Sequence, residues 1–376
     1  HRVDRRQRQM CIRDRLITGP PGSGRSNAAK AFAAALQCVD HGCGQCNACR
    51  TTLSGAHPDV TLVRTEALSI GVDEVRELVR RAAMNPVHGC HQVVVVEDAD
   101  RITERGADAL LKAIEEPAPK TVWLLCAPTP EDVIVTIRSR CRRLHLATPR
   151  DEAVADLLTR RDGIAPEVAA EAARAGQGHI GRARRLAWDE EARARRNAIG
   201  ELPTRLRSLG DCLQAAEDLV NQASEEAAAA TAEVNAAERA ELNKALGFGS
   251  SGARPRNAQA ALRDLEKQQS ARLKRLQRDA LDRVLTELTA YHRDVLAIQT
   301  GAVRPEEENA LRGARLVNAG WSASLHRIAD SQSPEHTVAT IDAILAARKS
   351  LEHGVTPLLV METLLIAMTG VDRARW

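Results

Sequence analysis

The chain has 376 residues, a formal net charge of +3 and 27% charged side chains, enough for two or three domains. Balanced charge singles out no nucleic-acid partner, and aromatics at 2% argue against single-strand binding by base stacking. No run of about 18 apolar residues exists, so no membrane span is expected, and no secretory leader with an apolar centre is seen. The cysteines divide into a tight cluster and singles at Cys90, Cys126, Cys141 and Cys212. That pattern fits reduced thiols plus a metal site in a cytoplasmic protein.

Residues 1–15 are polar and arginine-rich, and the run from Arg8 to Arg15 resembles translated sequencing-adapter read-through. They are expected to be a non-native leader outside the fold, with a native basic arm as the competing reading.

Residues 16–148 read as a parallel α/β domain. Leu16-Ile17-Thr18, Val60 to Val63, Val93 to Val96 and Val122 to Cys126 are continuous apolar runs, as strands buried on both faces require. Val72, Val75, Leu78, Val79 and Ala82 mark one helix face, and Ala109, Leu110, Ala113 and Ile114 another. Residues 149–195 read as a lid of three short helices. Residues 196–376 read as all-helical. Two heptad-like seams occur there: Leu213, Ala216, Val220, Ala223, Ala227, Ala230, Val234 and Ala237, then Leu281, Val284, Leu288, Tyr291, Val295 and Ile298. They predict a long Ala-rich helical hairpin over about 213–298, with a flexible tip at Gly247 to Pro255. Two core helices of a bundle are an equal reading of the second seam.

The first strand runs into Gly19-Pro20-Pro21-Gly22-Ser23-Gly24-Arg25-Ser26 and then a helical stretch, Asn27 to Leu36. Strand, Gly-rich turn and helix N-terminus make a phosphate-binding loop, with Gly19, Gly22, Gly24, Arg25 and Ser26 as candidate nucleotide residues. Arginine stands where the motif carries lysine, and a planar fork does not occupy the space of a compact ammonium. Val93 to Val96 lead into Glu97-Asp98, an acidic pair at a strand end. Working ATPases place aspartate first, for Mg²⁺, and glutamate second, for the attacking water. The inverted order predicts a degraded site for ATP and Mg²⁺. Taken alone, the pair reads equally well as a solvated turn.

Cys38, Cys43, Cys46 and Cys49 give C-x4-C-x2-C-x2-C. Four thiolates close a tetrahedral Zn²⁺ shell, so the metal is expected to be structural. His41 is the alternative to Cys38 as fourth ligand. In Arg138-Ser139-Arg140-Cys141, spacing alone favours an ordinary surface arginine.

Taken together, these segments resemble the AAA+ clamp-loader subunits of bacterial DNA polymerase III, nearest the delta-prime branch. Gly55-Ala56-His57-Pro58-Asp59, Val93 to Arg101, Ala109 to Pro117 and Ser139-Arg140-Cys141 add to the loop and the cysteines. The likeness runs from about Leu16 to Cys141 and, through Gly178 to Leu186, into the lid. It implies an AAA+ P-loop domain, a helical lid and an all-α collar. It also implies a pentamer with delta and gamma/tau subunits that opens the ring-shaped β sliding clamp and places it on primer–template DNA. Arg140 would enter a neighbour's ATP site as an arginine finger, and Thr129 stands at the family's sensor position. The lid's sensor arginine is replaced by Gly181, with Arg182 beside it. The expected role is a stator whose own ATP turnover is weak or absent; the alternative is an active gamma/tau-type ATPase.

Overall fold

Apolar strands without polar alternation need cover on both faces, and the computed structural model supplies it. It describes residues 13–65, 69–246, 258–303 and 316–369. Five parallel strands, β1 (Arg15–Thr18), β2 (Val60–Val63), β3 (Gln92–Val96), β4 (Thr121–Ala127) and β5 (Arg142–His145), stand in the order β2-β3-β4-β1-β5. The helices of this region are α1 (Arg25–Gln37), α2 (Asn47–Ser54), α3 (Val72–Ala82), α4 (Glu104–Glu115) and α5 (Val135–Arg138). Successive strand residues point to opposite cores. Leu16, Val94, Val96, Trp123 and Leu125 pack with Val75, Leu78, Leu110 and Ile114 of α3 and α4. Ile17, Val93, Val95, Leu124 and Cys126 pack with Ala29 and Ala33 of α1. This explains why the strands carry no polar positions.

β5 escapes the pattern. Its four residues, Arg142, Arg143, Leu144 and His145, are all exposed, and it pairs with β1 alone. An edge strand held by backbone bonds leaves no apolar signature.

The expected leader also needs correction. Residues 1–12 lie outside the described residues, but Asp14 is fully buried and Arg15 opens β1. The Asp14 carbonyl accepts the Arg142 amide at 2.9 Å, and its carboxylate accepts the Trp123 amide at 2.8 Å. A charged residue can sit here because two strands supply its partners.

Three helices follow β5: α6 (Asp151–Asp162), α7 (Pro166–Gly176) and α8 (Ile180–Trp188). The chain forms two compact units, His1–Arg184 and Arg185–Trp376, divided within α8.

The second unit is helical: α9 (Glu190–Arg205), α10 (Leu209–Ala245), α11 (Ala258–Gln299), α12 (Ser322–Ser331), α13 (Pro334–Glu352) and α14 (Pro357–Thr369). Ser208 and Asp211 form a reciprocal capping box that starts α10. Cys212, Ala216 and Ala223 of α10 pack with Leu281, Leu285 and Leu288 of α11 and with Met361, Leu364 and Leu365 of α14. The first seam does not hold over its expected length. Leu213 is 40% exposed and Val234 51%. Further along, charge pairs join α10 to α11: Glu226–Arg283 at 2.7 Å, Glu238–Arg272 at 2.7 Å and Arg239–Glu266 at 2.8 Å. The tip expected at Gly247 to Pro255 lies outside the described residues.

Candidate nucleotide loop, cysteine cluster and trans arginine

β1 delivers the chain at Thr18 into the glycine loop, at the carboxyl edge of the sheet. Gly22 and Gly24 have φ of 79° and 91°, which L side chains rarely adopt. Gly22 has a second constraint. A Cβ there would lie 2.1 Å from Cγ of His179. The residue after His179 is tied to the loop as well, since the Ile180 amide donates to the Gly22 carbonyl at 3.3 Å. His179 Nδ1 accepts the Arg182 amide at 3.1 Å, so the neutral ring carries its proton on Nε2. Burial, with Arg182 and Arg25 nearby, holds its pKa below the usual imidazole value. A neutral histidine therefore sits against the loop backbone.

Arg25 bends back. Its Nη1 donates to the Gly19 carbonyl at 2.6 Å. A lysine in this position reaches outward to phosphate, whereas this guanidinium spends a donor on the loop itself.

The acidic pair follows β3. Glu97 Oε1 lies 2.8 Å from Lys30 Nζ, and the Glu97 side chain is only 12% exposed. Asp98 leads into the short turn Ala99–Arg101. Cys126, near the end of β4, feels both acids and both cations. Burial chiefly, then Glu97 and Asp98 against Arg25 and Lys30, push its thiol up to about 12. The structure thus brings the loop and the acidic pair to one strand edge. It also adds two residues that spacing did not mark. Lys30 hid within an Ala-rich helix, and His179 lies far along the chain.

Thr129 is close to the loop, since Pro128 accepts the Gly19 amide at 3.1 Å. Its amide and hydroxyl both donate to Asp132, at 2.8 and 2.9 Å, so its side chain is engaged as a turn cap. Gly181 lies in the first turn of α8 beside Arg182.

Arg140 follows α5. Its Nη2 lies 2.6 Å from Glu115 Oε1, and its Nη1 donates to the Thr136 carbonyl at 2.8 Å. The next residue, Cys141, is buried in the core beneath α3 and α4. One residue anchors the segment and its neighbour carries the charge at the surface, 37% exposed.

Asp59, the last residue of Gly55-Ala56-His57-Pro58-Asp59, acts on the backbone. Its carboxylate accepts the amides of Val87, His88 and Gly89 at 2.6, 2.8 and 2.6 Å. Burial acts to raise its pKa, but these three donors outweigh it and hold the group below the usual carboxylate range.

The four cysteines converge. Their sulfurs all lie within 4.8 Å of one another. Cys38–Cys43 and Cys38–Cys46 are each 3.7 Å apart, against about 3.8 Å expected for a tetrahedron with Zn–S near 2.3 Å. Cys43 and Cys46 sulfurs accept the amides of Cys46 and Cys49 at 3.3 and 3.4 Å, which favours thiolates. Amides of Cys43, Gly42 and Asp40 hold the Cys38 thiol down to about 6. Cys38, not His41, completes the group. These residues fit a metal such as zinc, which would pin the end of α1 to the start of α2.

Comparison with known proteins agrees with this arrangement. Residues 7–150 match the family described as DNA polymerase III, delta subunit. The N-terminal part of the chain belongs to the bacterial DNA polymerase III clamp-loader family. DNA polymerase III subunit delta′ of Haemophilus influenzae is 35% identical over 153 residues, 40% of this chain and 47% of that protein. The Escherichia coli delta′ subunit is 33% identical over 186 residues, 48% of this chain and 56% of its own. A gamma/tau subunit of Mycobacterium bovis is 35% identical over 142 residues, 36% of this chain and 25% of its own. The chain thus spans about half the length of the delta′ relatives. A DNA polymerase III gamma subunit-related protein from Thermotoga maritima aligns over 98% of this chain and 99% of its own, at 16% identity and a TM-score of 0.42. The fold is that of an AAA+ α/β domain followed by helices. Among the described residues no helix is long and apolar enough to cross a membrane.

Proposed function

We propose that this chain is a delta′-type stator of a bacterial clamp loader. It helps place the ring-shaped β clamp on primed DNA, together with delta and gamma/tau subunits, without hydrolysing ATP at its own loop. The observation that carries this reading is the closed loop. Arg25 is turned onto Gly19, and His179 packs on Gly22. The Glu97–Lys30 pair supports it, since a carboxylate held by an ammonium is poorly placed to serve Mg²⁺. Arg140 is the residue offered to a neighbour's ATP. The Glu115 partner keeps it ordered at the surface, and leaving that pair costs little because both groups are half-exposed. DNA contacts in this reading are to backbone phosphates and therefore salt-sensitive. The cysteine cluster holds structural Zn²⁺.

The second reading is a gamma/tau-type ATPase, favoured by the match to the Mycobacterium bovis subunit. Turnover separates the two. The stator reading expects no Mg²⁺-dependent hydrolysis by the purified chain, and clamp-loading activity when it is mixed with delta and gamma/tau subunits. Brisk hydrolysis by the isolated chain, abolished by Arg25→Ala, would establish the second reading instead.

A further inference from the structure

The helical unit contains a cavity that none of this chemistry uses. It lies where the end of α9 meets α11, α12 and α14, and its volume is about 290 Å³, at the small end of ligand sites. His292 lines it. This side chain is fully buried, and neither Nδ1 nor Nε2 has a hydrogen-bond partner. Leaving a buried polar group unpaired costs about 1–3 kcal/mol, so the bare ring points to an occupant. Gln332 lines the same space, and its Oε1 is buried and unpartnered as well. Ser331 and Thr369 give their hydroxyl protons to the carbonyls of Ile328 and Ile366, at 3.0 and 2.8 Å, so their oxygens remain as acceptors. Arg207 and Arg327 are exposed and complete the wall, to which no acidic side chain contributes.

We propose that this cavity binds a small phosphate-bearing anion, either inorganic phosphate or a compact phosphate monoester. The two arginines take its charge, and His292 and Gln332 take up its protonated oxygen and one of its bare ones. Burial and the nearby His336 push His292 down to about 4, so the ring is neutral near pH 7. A neutral imidazole offers one donor and one acceptor. Its ligand must therefore accept one hydrogen bond and donate another. Hydrogenphosphate does both, whereas sulfate at neutral pH has no proton to donate.

The test uses the full chain with ¹⁵N-labelled histidine, titrated with phosphate, glycerol phosphate or sulfate at an ionic strength matched with chloride. The His292 ring signals, assigned from a His292→Gln chain, should move saturably with phosphate and respond more weakly to sulfate. The Arg207→Ala/Arg327→Ala double variant changes only exposed side chains and should lower phosphate affinity about tenfold or more. Tighter binding of glycerol phosphate would assign a monoester; tighter binding of phosphate would assign the free anion. Stationary His292 signals would overturn the proposal, because phosphate would then be absent or bound at the glycine loop. Movement that survives the double variant unchanged, or that sulfate reproduces at equal affinity, would overturn it too.

Discussion

Arg25 Nη1 lies 2.6 Å from the carbonyl oxygen of Gly19, so the cation of the phosphate loop is bound to the loop itself. An incoming nucleotide must break that bond before it gains one. Arg25→Lys removes the fork and frees the carbonyl. This change is expected to raise nucleotide affinity by about tenfold, the worth of one charge-assisted hydrogen bond. Turnover should stay absent, because Glu97 remains paired with Lys30. Fluorescent-nucleotide titration and phosphate release measure the two quantities separately. An Arg25→Lys chain that hydrolysed ATP at the rate of an active subunit would show that the arginine alone had silenced the site.

Arg140 is expected to matter only in company. In a loader reconstituted from all its subunits, Arg140→Ala should lower ATP turnover by about 10³-fold, the low end for an arginine finger. The isolated variant should keep its unfolding free energy within about 1 kcal/mol, since a half-exposed pair is worth no more. Glu115→Gln releases the arginine without removing it and should leave turnover at least as high as wild type. If both variants slowed the complex equally, the Glu115 pair itself would be the functional unit.

Why part of this was readable from sequence follows from particular residues. Val93 to Val96 announce a strand because both faces are covered, and the cysteines announce their cluster because the ligands are close in sequence. Arg142 to His145 form a strand that is exposed throughout, so hydropathy is silent there. Asp14 looked like part of a polar leader, yet two strands satisfy it. His179 and Gly22 are far apart in sequence, and nothing in either segment names the other. The seam through Leu213 and Val234 misled because alanine-rich helices keep a heptad rhythm even where charge pairs do the joining.

The cysteine cluster is expected to bind about one Zn²⁺ per chain. Elemental analysis of the purified protein checks this directly. Cys43→Ser should lose the metal and destabilise the first unit by about 2 kcal/mol or more, because α1 and α2 lose their shared anchor. Cys90→Ser is the control: that residue is exposed and outside the cluster. Equal zinc content in the two variants would remove Cys43 from the ligand set.

Asp14 makes the fold sensitive to pH in a direction unlike that of most carboxylates. Burial, only partly countered by the Trp123 amide and the nearby arginines, raises its pKa from 3.8 to about 6. The folded chain therefore holds this proton more tightly than the unfolded one. The favourable effect is full below pH 3.8 and is lost as pH rises through about 6. A two-unit shift corresponds to about 3 kcal/mol. Asp14→Asn keeps an oxygen for the Trp123 amide and never carries charge. It should be more stable than wild type by up to about 3 kcal/mol near pH 8, and the gap should roughly halve near pH 5. Urea unfolding of both chains at the two pH values gives the difference, in which the other titrating groups cancel. A gap that stayed constant would mean that the Asp14 carboxyl titrates as it does in the unfolded chain.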